Sequence, residues 1–196
     1  EQIRENISFG GGTTNGFFKT KISDITNNFR VTIQNSEDKK FGDFLDINSL
    51  DESNQALVKL LFSDTNLEAD MQVGFKGNPN IGSVVLNQFA SSPDFAVFAN
   101  SFQQGDRIFI ISSIFGGTGA AGFPLLLKNL RNASQNISTA ELLKQAPIGA
   151  ISVLPYFSVR SDAKSEIDTS TFMSKTRAAL RYYEKNIIEN NSINAL

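Results

Sequence analysis

The sequence predicts an α/β domain with a mostly parallel sheet. Three stretches carry that prediction. The first is Ile108-Phe109-Ile110-Ile111, followed at once by Phe115-Gly116-Gly117-Thr118-Gly119-Ala120-Ala121-Gly122 and then by Phe123, Leu125, Leu126, Leu127 and Leu130. An apolar β-branched run, a glycine loop and leucines at helical spacing read as strand, loop and helix, with the strand buried on both faces. The second is Ile148-Gly149-Ala150-Ile151-Ser152-Val153-Leu154-Pro155, another buried strand ending in a proline loop. The third runs from Thr169 to Asn190, where Phe172, Thr176, Ala179, Leu180, Tyr183 and Ile187 fall on one helical face.

Taken in order, residues 1–40 admit two readings. Gly10-Gly11-Gly12-Thr13-Thr14-Asn15-Gly16 is a phosphate loop between a first strand and a helix over Phe17 to Ile25, or it is a glycine-rich turn or inserted hairpin. Phe29 to Gln34 alternates as a strand does. Residues 35–55 are polar and turn-rich. Their Asp43, Asp46, Asp51 and Glu52 do not follow calcium-loop spacing and read as a solvated acidic surface. Gln55 to Leu67 reads as one helix with Leu57, Leu60, Leu61 and Leu67 as its apolar stripe. Gly77-Asn78-Pro79-Asn80-Ile81-Gly82 is a turn leading into a helix over Ile81 to Phe89, with Asn80 as the expected cap. Phe95 to Phe102 is a short helix that Gly105 ends. Residues 132–146 are a polar break and a short helix, with Ser138 as its N-cap and Glu141 at capping-box spacing. One domain is expected over residues 1–196, residues 1–69 being the part the pattern defines least.

Composition excludes several function classes. The 196 residues contain no Cys and no His. Disulfides, thiolate chemistry, Ser-His-Asp and Cys-His catalysis and the usual zinc sites are therefore absent. A net charge of −2 gives no electrostatic case for nucleic acid. The 17 phenylalanines, with no tryptophan, read as core. No apolar run approaches the roughly 18 residues a bilayer span needs, and no signal-peptide pattern opens the chain, so a cytoplasmic protein is expected.

The loop after Ile111 has two physical readings. A strand–glycine–helix turn aims backbone N–H groups and the positive end of a helix dipole at one point, with Thr118 adding a hydroxyl, which makes a phosphate cradle. It can equally be a tight turn with no ligand. It carries neither GxGxxG nor the Lys-Ser/Thr ending of a Walker loop, and no ribose-binding acid follows, so a generic dinucleotide enzyme is disfavoured.

The segment Gly116-Gly117-Thr118-Gly119-Ala120-Ala121-Gly122 resembles the GGGTG[ST]G signature of the tubulin/FtsZ superfamily, with Phe115 in place of the first glycine and Ala121 in place of the last. Gly77-Asn78-Pro79-x-Ile81-Gly82 resembles the phosphate loop that precedes that signature in bacterial FtsZ-like proteins. Gly77 and Gly116 stand 39 positions apart. The resemblance covers residues 70–196 and implies a three-layer Rossmann-like sandwich, the amino-terminal part of a GTP-binding domain. It implies that backbone amides of Gly116, Gly117, Thr118, Gly119 and Ala120, with Thr118 Oγ1, hold the distal phosphates of GTP or GDP. Gly77, Asn78 and Pro79 would close over them, Pro155 would lie in the loop beside the nucleotide, and Mg²⁺ would bridge the phosphates mostly through water. The family's base-reading Asn and catalytic acidic loop are not found, so binding is expected rather than hydrolysis by this chain alone. Head-to-tail self-association into a cytoskeletal filament, with GTPase activity at the subunit interface, is implied for the full-length form. No nucleic-acid or membrane partner is expected. The alternative is a tubulin-like interaction scaffold that no longer uses nucleotide.

Overall fold

A computed structural model of the chain describes residues 33–71, 74–75, 77–134, 137–156 and 171–196. The expected first strand, first glycine loop and following helix lie outside the described residues. So does most of Phe29 to Gln34, of which Ile33 and Gln34 are not in a strand. Among the described residues ten α-helices and β-strands follow. They are α1 (Phe41–Phe44), α2 (Glu52–Leu61), α3 (Asp64–Leu67), α4 (Pro79–Val85), α5 (Pro93–Ser101), β1 (Ile108–Ser113), α6 (Gly117–Arg131), α7 (Ala140–Gln145), β2 (Ile148–Val153) and α8 (Phe172–Tyr183). A 3-10 turn, Leu86–Ser91, extends α4, and a π-helical turn, Glu184–Ile188, extends α8. Among the described residues no helix is long and apolar enough to cross a membrane.

β1 and β2 pair in parallel, from Ile108 opposite Ile148 to Ser113 opposite Val153. The chain between them supplies α6 and α7, the crossover that parallel pairing requires. The far edge of β2 is met by Ala195, whose carbonyl accepts from Ala150 N at 2.9 Å, while Asn194 N donates to Ile148 O at 2.8 Å. The mixed α/β character and the parallel pairing agree with the sequence.

Burial of β1 on both faces does not. Ile110 faces the core, whereas Phe109 is 60% and Ile111 73% exposed, as are Ile151 and Val153 in part on β2. Side chains alternate along a strand. A continuous apolar run thus satisfies one buried face as well as two, and no described element covers the second.

The covered face packs Ile110, Ile148 and Ala150 against Phe123, Leu127 and Leu130 of α6. Tyr183 and Ile187 complete this core, as the helical face from Phe172 to Ile187 predicts, although Leu180 is exposed. A second core holds Phe41, Phe62, Met71, Phe75, Ile81 and Val85.

The region expected as one helix from Gln55 to Leu67 is two. Asp51 caps α2, accepting from Ser53 N and Asn54 N, and the Asn54 amide and side chain hold its carboxyl below the usual carboxylate range. This gives the acidic stretch a structural role. The chain then leaves helix at Phe62, whose ring meets Phe41 edge-on at 5.0 Å. Of the expected stripe only Leu67 packs inward. Leu57, Leu60 and Leu61 are exposed, Leu60 to 82%, while Val58 packs inward and Phe62 is buried. An aromatic ring buries more apolar area than a leucine, and seating Phe62 rotates the leucines outward.

Two expected caps also move. Pro79 begins α4, with Asn78 at the cap position, so Asn80 lies inside the helix. Proline favours the first helical position because its missing N–H would have no partner there. Ahead of α7, Ser138 Oγ donates to Asn100 Oδ1 at 3.0 Å and Thr139 Oγ1 to Ala99 O at 2.6 Å. Glu141 pairs with Lys144 instead of closing a capping box. These hydroxyls tie α7 to α5. Ser92 does cap α5, accepting from Phe95 N at 3.1 Å.

Candidate functional site

The glycine sequence after β1 folds differently from a loop preceding a helix. Only Ile114, Phe115 and Gly116 are outside regular structure, and α6 begins at Gly117. Thr118, Gly119 and Ala120 therefore form its first turn, with no side-chain cap. The amides of Gly117, Thr118 and Gly119 precede the first intrahelical bond, Ala120 N to Gly116 O at 3.3 Å. These three N–H groups are the orphan donors at the positive end of a 15-residue helix. Ala120 is not one of them. Its amide is used, and its carbonyl accepts from Tyr183 Oη at 3.2 Å.

The two glycine segments meet. A Cβ on Gly117 would stand 2.7 Å from Phe75 Cβ and 3.0 Å from Asn78 N. One on Gly82 would lie 2.7 Å from Gly117 O and 3.0 Å from Ala121 Cβ. Helices α4 and α6 cross where neither has room for a larger side chain. Ala121, which departs from the signature, is packed into this crossing. Gly119 leans on the end of β1, where a Cβ would fall 2.2 Å from Ser113 O. Gly117 and Gly119 thus bring protein against protein, whereas the sequence suggests room for a ligand. Gly77, at φ +72°, holds the left-handed conformation that suits glycine and turns the chain into Asn78. The Asn78 amide is taken by Phe75 O at 2.7 Å.

Pro155 follows β2 at the same end of the sheet as Phe115 and Gly116, since Ile114 N donates to Val153 O at 3.0 Å. Ser112 and Ser152 face each other in register at that end, and their buried hydroxyls have no hydrogen-bond partner among the described residues.

Two further residues reach the site from α8. The Phe172 ring packs tilted against Phe115 with centroids 5.5 Å apart. A Cβ on Gly77 would be 3.8 Å from both Phe172 Cε1 and Lys175 Nζ. An ammonium therefore stands over the Gly77 turn, 98 residues away in sequence. Sequence reasoning misses both, because only the docking of α8 brings them there. Tyr183 is buried against Phe123, centroids 5.1 Å apart, and is packing, whereas Tyr182 is exposed.

Chemically, the site offers helix-end amides, the Thr118 hydroxyl, buried serine hydroxyls and one ammonium. Those groups suit an anion. The described residues hold no cluster of three metal-binding side chains. Comparisons with protein-family models, with curated proteins and with solved structures find no match to this chain.

Proposed function

We propose that the junction of the Gly77-Asn78-Pro79 turn with the first turn of α6 binds the phosphates of GTP or GDP, in a protein of the tubulin/FtsZ type with a three-layer Rossmann-like sandwich. The observation that carries the reading is the contact of Gly117 with Asn78, which joins two segments 39 positions apart that both resemble phosphate loops. The place also fits, because ligands of parallel α/β sheets sit beyond the carboxyl ends of the strands. Gly117, Thr118 and Gly119 donate amides to the phosphates, Thr118 adds its hydroxyl, and Lys175 supplies the positive charge. Mg²⁺ accompanies the phosphates. Head-to-tail assembly, with GTP hydrolysis completed between subunits of the full-length protein, is part of the proposal, as is a cytoplasmic, cytoskeletal setting.

Calorimetric titration of the chain with GTP, GDP and ATP in Mg²⁺ tests it. Saturable guanine-nucleotide binding is expected, weakened at least several-fold by Thr118→Ala and by Lys175→Ala. Absence of any nucleotide heat refutes it. The same observations that tighten the loops favour a second reading, a scaffold that no longer uses nucleotide: Phe115 is occupied by Phe172, and Gly117 and Gly119 are filled by neighbouring backbone. Oligomers that form equally with and without GTP support that reading.

A further inference from the structure

We propose that the groove between α4, α6 and α8 docks an acidic polypeptide segment of a protein partner. The groove is an open cavity of about 860 Å³. Lys128 and Arg131 of α6 and Lys175 of α8 line it, and no Asp or Glu does. The chain as a whole carries a net charge of −2, so this cluster runs against its average. Lys40 and Lys144, outside the groove, are paired with Glu68 and Glu141. Lys128 and Lys175 have no carboxylate partner among the described residues. Arg131 gives its hydrogen bonds to the carbonyls of Lys144, Ala146 and Ser192, which hold the side chain without neutralising it.

A cleft lined by one sign of charge focuses the field and selects the opposite charge. The lining also includes Pro124, Leu125 and Tyr182. Cations and apolar side chains in one groove match a peptide that carries both carboxylates and an apolar residue. Nucleic acid fits less well, since the net negative charge of the chain opposes a polyanion of such length. The groove shares Lys175, Asn78 and Pro79 with the proposed phosphate site, and Lys128 is what sets the two apart. Lys128 lies 11 residues beyond Gly117, roughly 16 Å along α6.

The test is fluorescence anisotropy with the full chain and a fluorescein-labelled glutamate-rich peptide carrying leucine at every fourth position. Binding that weakens with salt is expected. Lys128→Glu and Lys175→Glu should each lower affinity about tenfold, while Lys59→Glu, outside the groove, leaves it unchanged. Unaltered far-ultraviolet circular dichroism shows that the variants fold. Lys128→Glu should leave any GTP titration untouched, which separates failure here from failure of the nucleotide reading. The proposal is overturned if no salt-sensitive binding occurs or if both charge reversals are silent. It is equally overturned if a single-stranded oligonucleotide displaces the peptide more readily than unlabelled peptide does. Self-association abolished by Lys128→Glu would overturn it in favour of a second copy of the chain.

Discussion

Pro124 is the eighth residue of α6, and the helix continues to Arg131. An interior proline removes one amide donor, leaving the carbonyl four residues earlier without its helical partner. That carbonyl belongs to Ala120, and Tyr183 Oη donates to it at 3.2 Å from 63 residues away. Both groups are buried, and the Tyr183 ring packs edge-on to Phe123. Tyr183→Phe keeps the ring and removes the donor. A buried carbonyl left unpaired costs about 1–3 kcal/mol, equivalent to about 2–4 °C of melting temperature per kcal/mol at this chain length. Pro124→Ala restores the amide that Ala120 O lacks, and relieving an interior proline is worth up to about 3 kcal/mol. In the Pro124→Ala background the carbonyl keeps a donor when Tyr183 is replaced, so Tyr183→Phe should then cost under about 1 kcal/mol. The assay is a double-mutant cycle by urea unfolding, with an expected coupling of about 1–2 kcal/mol. Additivity of the two substitutions within about 0.5 kcal/mol refutes the idea that Tyr183 repairs the helix at Pro124.

Three further outcomes are expected. Burial pushes the Tyr183 hydroxyl well above its ordinary range. The unfolded tyrosine ionises near pH 10 while the folded one does not, so stability is intact below about pH 10 and falls above it by up to about 1.4 kcal/mol per pH unit. Urea midpoints across that range should show a component that Tyr183→Phe removes. Gly119→Ala places a methyl 2.2 Å from Ser113 O and should destabilise by about 3 kcal/mol or more. Gly116→Ala meets only Ser113 Oγ at 3.4 Å and should be tolerated, so equal urea midpoints for the two refute the close packing of α6 on β1. Arg131→Ala leaves the carbonyls of Ser192, Lys144 and Ala146 without their donor and should cost about 2–4 kcal/mol. Faster amide exchange at Ala150 and Asn194, where the chain end pairs with β2, reads out that loss.

The sequence by itself determined what depends on neighbouring residues. The period of the apolar side chains placed β1, α6, β2 and α8, and the glycines marked the two turns that meet at Gly117 and Asn78. Periodicity and turn chemistry are local, so they can be read without the fold. Which face of an apolar run is covered is not local. Ile108 to Ile111 read as buried on both sides, yet Phe109 and Ile111 are open; Leu57, Leu60 and Leu61 read as core, yet Phe62 took their place. Only tertiary structure brought Lys175 and Phe172 over the Gly77 turn and Tyr183 to the carbonyl that Pro124 leaves free. The physical reason is common to these cases. Each partner is chosen by how whole helices pack, and a side chain 63 or 98 positions away leaves no mark on the local pattern it completes.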